Sequence, residues 1–240
     1  DRVAGGTGAD TVNFNLSAAT ENITIDLGTG EGVGGQWTGV EIASGTLGSG
    51  DDHVTAGLQL ADIDGGSGTD SLTLDYSGML ADGRTVSRIE FQYLHGANGS
   101  GNPEYVYLSD GTRVDVKINN FERYHITGTV GDDTIDVGAT SAGNTLFGGD
   151  GNDTMTGGVG ADVLDGGSGA DTLRVGTGVD IVDGGAGTDT LLVLGNFAAY
   201  LRSRPNATDT RLFNAATGED ITLRNIESLT FLDGSKSLTR

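Results

Sequence analysis

The sequence predicts an all-β chain wound as a parallel β-roll, a flattened β-helix-like solenoid, and three observations carry that reading. First, residues 148–192 are one nine-residue unit written five times without a gap: GGDGNDTMT, GGVGADVLD, GGSGADTLR, VGTGVDIVD and GGAGTDTLL. Second, the sixth residue is always aspartate (Asp153, Asp162, Asp171, Asp180, Asp189) and the eighth is always apolar (Met155, Leu164, Leu173, Val182, Leu191). Third, glycine holds positions two and four throughout. A fixed short period decides the architecture, because each unit can bury its single apolar side chain only against neighbouring coils.

Within a unit, the glycines allow backbone conformations and close approaches that a Cβ forbids, so the first six residues form a tight turn. The last three, polar–apolar–polar, make a minimal strand with one side chain pointing inward. Two turns and two strands complete one flattened coil, so units two apart stack on the same edge at about 4.8 Å. Asp153, Asp171 and Asp189 are then expected on one edge, Asp162 and Asp180 on the other. On this reading Asp189 has an aspartate on one side and the covering segment on the other.

Carboxylates stacked at that spacing repel, so something cationic belongs between them. Calcium fits, taking six to eight hard oxygen ligands at about 2.3–2.6 Å in tolerant geometry, with glycine turns exposing carbonyls beside each aspartate. Zinc or copper would want the Cys or His that these turns lack. The expected metal-binding residues in the tandem block are Gly148, Gly149, Gly151 and Asp153; Gly157, Gly158, Gly160 and Asp162; Gly166, Gly167, Gly169 and Asp171; Gly176, Gly178 and Asp180; and Gly184, Gly185, Gly187 and Asp189. To these the scattered units add Asp10, Asp52, Asp70, Asp133 and Asn144. The unit resembles the repeats-in-toxin (RTX) nonapeptide GGxGxDxUx, and the resemblance implies a β-roll that binds several Ca2+ ions. Glycine-rich low complexity would not hold the aspartate and the apolar residue in register.

Composition agrees. The formal net charge of -21 argues against nucleic acid or an anionic membrane as partner and for bound cations. The chain has no cysteine, so no disulfide framework or thiolate chemistry. No apolar run approaches the roughly 18 residues of a membrane span. DRVAGGTGAD has neither the basic end nor the apolar core of a signal peptide, lacks an initiator Met and begins almost inside a repeat, so a fragment of a longer polypeptide is expected.

Three regions follow. Residues 1–127 are an irregular β-rich region with scattered repeats. GGTGADTVN at residues 5–13 and GGSGTDSLT at 65–73 are complete units, and Ile23 and Ile25 alternate as in a strand. A literal GxGxxG at Gly30, Gly32 and Gly35 is read as a loop, because QWTGVEIASG after it is no helix. VEIASGTLGSGDDHV and FERYHITGTVGDDTI look like copies of each other, each running from an apolar residue and Glu to an aspartate turn. Between them lie Tyr76, Phe91, Tyr93, Tyr105 and Tyr107 and a hairpin, YVYLSDGTRVDVKI, turning at Asp110-Gly111. These aromatics are expected to pack ordinary strands rather than to build a ligand-binding lobe.

Residues 128–192 are the regular roll, fed in register by ATSAGNTLF, a worn unit in which Asn144 replaces aspartate and caps or half-fills a site. Residues 193–240 are a β cap: an open roll end exposes unpaired backbone, and strands TRLF, DITL and IESLTFL can cover it. In the resembling family, a segment similar to NIESLTFLDGS follows the last repeat and leads to a C-terminal signal for type I secretion.

No catalytic constellation emerges. His53, His95 and His125 sit in no HExxH, no GxSxG occurs, and neither Lys117 nor Lys236 follows a phosphate loop. The resemblance implies a secreted or bacterial cell-surface module that folds on extracellular calcium, as part of an adhesin or surface-layer protein. Its partners would be calcium and a host-surface or polysaccharide ligand, or further copies of itself. The alternatives are the RTX domain of a secreted protease, lipase or epimerase whose catalytic domain lies elsewhere, and a carbohydrate-binding module. Ice binding is disfavoured because positions three and five of the units are mixed (Asp150/Asn152, Val159/Ala161, Ser168/Ala170).

Overall fold

A computed structural model describes residues 2–4, 11–27, 31–32, 35–38, 42–56, 60–78, 83–92, 104–138 and 140–237. The strands form two sheets, between which the chain passes back and forth, with hairpins interrupting the alternation at residues 24–38, 86–119 and 201–224. The first runs from Arg2–Ala4 to Leu201–Ser203 and the second from Thr11–Asn15 to Gly234–Ser237. Among the described residues the only helix is one 3-10 turn, Phe197–Ala199.

The nine-residue period becomes an eighteen-residue coil. In the first sheet Thr145 pairs with Val163 and Val163 with Ile181; in the second Thr154 pairs with Thr172 and Thr172 with Thr190, all parallel. The second-sheet strands Thr154–Thr156, Thr172–Arg174 and Thr190–Leu192 are the three-residue strands the unit predicts. Their middle residues face inward and stack in register: Phe91, Ile135, Met155, Leu173, Leu191 and Leu229, all buried. Ile126, Leu146, Leu164, Val182 and Leu223 form the matching column on the first sheet. A side chain in such a column has neighbours above, below and opposite, which is how one apolar residue per unit suffices for a core.

The same two sheets continue through the N-terminal region, where Val54, Leu72 and Tyr124 extend the first-sheet core. Gly32 and Gly35 of the GxGxxG lie in strands Glu31–Gly32 and Gly35–Thr38, which excludes a helix there; Gly30 lies outside the described residues. The two similar stretches sit half a coil out of step. His53–Ala56, after Asp52, joins the first sheet, whereas Thr134–Asp136, after Asp133, joins the second. The hairpin is not a separate lobe: Val86–Phe91, Glu104–Leu108 and Arg113–Asn119 pair antiparallel within the second sheet, between Leu60–Asp64 and Thr134–Asp136. Tyr76 and Phe91 pack edge to face in the core at 5.7 Å.

At the C-terminal end both sheets turn antiparallel. Glu219–Arg224 pairs with Val179–Asp183, then Thr210–Asn214 and Leu201–Ser203 fold back over it, while Gly234–Ser237 folds back on Ser228–Phe231.

Stacking at one strand spacing leaves no room for side chains where turns meet. Gly167 has φ 96°, and a Cβ there would run into the carbonyl of Gly149 one coil away. Gly111, in the hairpin turn, has φ 85° but open space around it. Gly111→Ala is therefore expected to cost about 1 kcal/mol, the left-handed penalty alone. Gly167→Ala is expected to cost at least twice that, and equal shifts in urea denaturation would contradict the stacking.

Candidate metal sites in the turns

Each turn aspartate faces inward, where one oxygen holds the neighbouring coil. On the edge leading from the first sheet to the second, Asp133 N–H donates to Asp153 Oδ1 (2.8 Å), Asp153 N–H to Asp171 Oδ1 (2.8 Å) and Asp171 N–H to Asp189 Oδ1 (2.9 Å). Asp189 N–H then donates to Glu227 Oε2 at 2.9 Å. On the other edge Asp52 N–H donates to Asp70 Oδ1 (2.8 Å), Asp70 N–H to Glu122 Oε2 (2.9 Å), Asn144 N–H to Asp162 Oδ1 (2.8 Å) and Asp162 N–H to Asp180 Oδ1 (3.0 Å). The structure thus places Asp153, Asp171 and Asp189 together and Asp162 with Asp180 opposite. The segment on the outer side of Asp189 contributes a carboxylate of its own, that of Glu227. Asp10 lies outside the described residues.

The second oxygen is the unusual one. Oδ2 of Asp70, Asp153, Asp162, Asp171, Asp180 and Asp189 is buried and has no hydrogen-bond partner, and none of these residues is more than 1% exposed. An unsatisfied buried polar atom costs about 1–3 kcal/mol, more if charged, so six of them would consume the stability of an ordinary domain. The surroundings are oxygen as well. A Cβ on Gly148 or Gly166 would meet both the aspartate Oδ2 of its own unit and the carbonyl of the first glycine one coil on, so those two oxygens converge on one small space. Among the described residues no three His, Cys, Asp or Glu side chains cluster. The turns instead offer lone carboxylate oxygens and carbonyls, a donor set that fits a hard, oxygen-seeking cation.

Burial, chiefly, pushes Asp153 and Asp180 up to about 7 and Asp70 up to about 6, and raises Asp162, Asp171 and Asp189. Not every predicted ligand is open. Asp133 Oδ2 accepts the Thr129 N–H at 2.7 Å, and Asp52 Oδ2 accepts the Gly48 N–H at 3.3 Å. Asn144, expected to cap or half-fill a site, is hydrogen-bonded at both ends of its amide, with Oδ1 accepting the Tyr124 N–H at 2.9 Å. Its amide nitrogen donates to Gly157 O (2.7 Å), Thr140 Oγ1 (2.8 Å), Ala142 O (3.0 Å) and Asp162 Oδ1 (3.2 Å), so the oxygens a cation would need already surround an N–H2 group.

The remaining candidates resolve into packing. His53 bonds Ser71 Oγ at 2.7 Å and Thr55 Oγ1 at 3.2 Å along the first sheet, and His125 packs against Phe147. Arginine guanidinium groups lie over the rings of Tyr107 (Arg88, 4.1 Å) and Tyr105 (Arg113, 4.5 Å). His95 and Tyr93 lie outside the described residues. Sequence reasoning missed Glu122 and Glu227 as members of the carboxylate columns. The signal was the shared pattern Asn-apolar-Glu ahead of a strand.

Parallel coils, glycine turns and inward carboxylate columns define a parallel β-roll. Residues 138–173 and 156–191 match the family model of the RTX calcium-binding nonapeptide repeat. Residues 138–191 thus carry RTX nonapeptide repeats, a repeat that binds calcium. Among curated proteins none matches in sequence. Among solved structures the extracellular lipase LipA from Serratia marcescens is similar over 76% of this chain and 38% of its own, at 18% identity and a TM-score of 0.24. A likeness of that size carries no argument about activity, and this chain spans well under half of that protein's length.

Two outcomes follow from the geometry. Protonation neutralises the unpaired oxygens, and the folded aspartates bind protons up to about pH 6–7 whereas unfolded ones release them near 3.8. The metal-free fold therefore keeps this contribution at low pH and loses it as pH rises from about 4 to 7. In EDTA the far-UV strand signal should fall over that window, and a rise would contradict the assignment. Asn144→Asp removes the amide that fills its site, and isothermal titration should count one more bound calcium than in the parent.

Proposed function

We propose that this chain is a calcium-dependent folding module of a secreted or cell-surface protein, a stiff spacer or adhesive scaffold of adhesin or surface-layer type. One observation carries the reading: six aspartates hold an oxygen that is buried and unpartnered, in a chain of net charge -21. Without cations these charges oppose the fold, and the glycine-rich turns add a large ordering entropy. Residues 128–192 are the loading block on this reading, 193–240 its cover, and 1–127 a continuation with sparser sites.

Calcium sites of extracellular modules bind at about 10⁻⁴–10⁻³ M, far above resting cytosolic calcium, so such a chain stays unfolded inside the cell and folds after export. Each site filled at 100 times its Kd adds about 2.7 kcal/mol to the folded state. Circular dichroism at neutral pH should show strand signal in millimolar calcium and its loss in EDTA, and an identical spectrum in both would overturn the proposal. Magnesium demands near-octahedral geometry at about 2.0–2.1 Å and keeps its waters, so equimolar magnesium should not restore the signal.

A further inference from the structure

Two tripeptides far apart in sequence, Asn120-Phe121-Glu122 and Asn225-Ile226-Glu227, adopt the same structure. Their asparagines are the only non-glycine residues in the left-handed region among those described, Asn120 at φ 56° and Asn225 at φ 47°. Each asparagine amide donates to an aspartate just ahead of a glycine turn, Asn120 to Asp64 at 2.7 Å and Asn225 to Asp183 at 2.8 Å. The carbonyl of Asp70 accepts the N–H groups of Glu122 and Arg123, and that of Asp189 those of Glu227 and Ser228. Each glutamate then takes the N–H of that same aspartate on Oε2, at 2.9 Å in both cases.

The equivalence with a full repeat is atomic. Inside the tandem block, the space beside Gly148 and Gly166 is bounded by the aspartate Oδ2 of the same unit and by the carbonyl of the first glycine one coil on. Beside Gly65 and Gly184 that carbonyl belongs to Asn120 and Asn225 instead. The repeat places its carbonyl and its carboxylate five residues apart, at positions one and six; the tripeptide places them two apart. Glutamate is one methylene longer than aspartate, and its Oε2 takes the aspartate amide that an Oδ1 takes inside the tandem block. The left-handed asparagine makes the sharp bend that glycine makes elsewhere. What these turns face is open chemically: Oδ2 of Asp70 and of Asp189 are both buried and unpartnered.

We propose that Asn-apolar-Glu is a compressed half-site that completes the cation sites of Asp70 and Asp189, with Glu122 and Glu227 as metal ligands beside them. It rests on the calcium reading above. Gly39-Val40-Glu41 carries the same sequence pattern with glycine in the asparagine's place, outside the described residues.

The experiment is calcium titration of the whole chain as parent, Glu122→Gln and Glu227→Gln, by calorimetry with circular dichroism alongside. Glutamine keeps an oxygen for the aspartate N–H and removes the charge, so each variant should fold in saturating calcium. Each should bind one ion fewer, or bind its weakest ion at least tenfold less tightly, and the double variant should lose two. Unchanged ion count and affinity in both single variants would overturn the proposal and leave the glutamates as backbone acceptors only. A parent that binds no calcium would instead overturn the calcium reading itself.

Discussion

The interaction on which the rest of the structure depends is the hydrogen bond from one turn aspartate's N–H to the Oδ1 of the aspartate one coil further on. It fixes coil to coil at the turns as the parallel ladders fix it in the strands, and it sets the register of everything between. It also imposes a cost. A carboxylate that reaches inward to hold the next amide leaves its other oxygen in a space without a protein donor, and the low local dielectric there makes an unpaired charge expensive. Order along the roll and demand for a cation are thus two consequences of one rotamer. A side chain turned out to solvent would remove the demand, and with it the link between coils.

The apolar core cannot carry this alone. In the tandem block and the unit before it, the core consists chiefly of two facing columns, Leu146–Leu164–Val182 and Met155–Leu173–Leu191, thin by the standard of a globular domain. Val175 shows where extra packing is admitted: it stands at the first position of its unit, where glycine is usual, and is buried. Position one can therefore carry a side chain on that edge. Beside Asp153 and Asp171 it cannot, because a Cβ on Gly148 or Gly166 would occupy the space that the two oxygens share. The choice of glycine is set by the oxygens more than by the bend.

The roll, its coil length and the edge assigned to each tandem aspartate were legible in the sequence because period, polarity and glycine repeat together. What was hidden involves side-chain direction. Nothing in the letters shows that Oδ1 is spent on an amide while Oδ2 is left over, nor that Asn144, one atom type away from aspartate, fills the space between the surrounding oxygens with its own N–H2. Glu122 and Glu227 were hidden for another reason: a three-residue turn that reproduces a six-residue one breaks the period by which repeats are found. The hairpin was legible as a hairpin, but its insertion in the plane of the second sheet is a matter of partner strands, which local pattern does not specify.

Cap and roll solve the same electrostatic problem with different materials. The cap supplies its own cations: Arg224 Nε lies 2.8 Å from Asp209 Oδ1, and Arg211 pairs with Asp220 through both nitrogens of its fork. The Arg224 hydrogen bond, with those of Asn206 and Thr208, holds Asp209 down to about 2, whereas burial pushes Asp153 up to about 7. Arginine works where antiparallel strands leave a partly exposed face for a long side chain. It could not serve inside the turns. There one charge is needed per coil, coils lie about 4.8 Å apart, and a guanidinium on a three-carbon stem would have to enter a gap too small for a single Cβ. A bare ion fits such a gap, can be shared between coils and costs no side-chain entropy. On the proposed calcium reading, the periodicity of the roll selects for a charge taken from solvent, which ties the roll's stability to the composition of the medium in a way that the arginine pairs of the C-terminal strands do not.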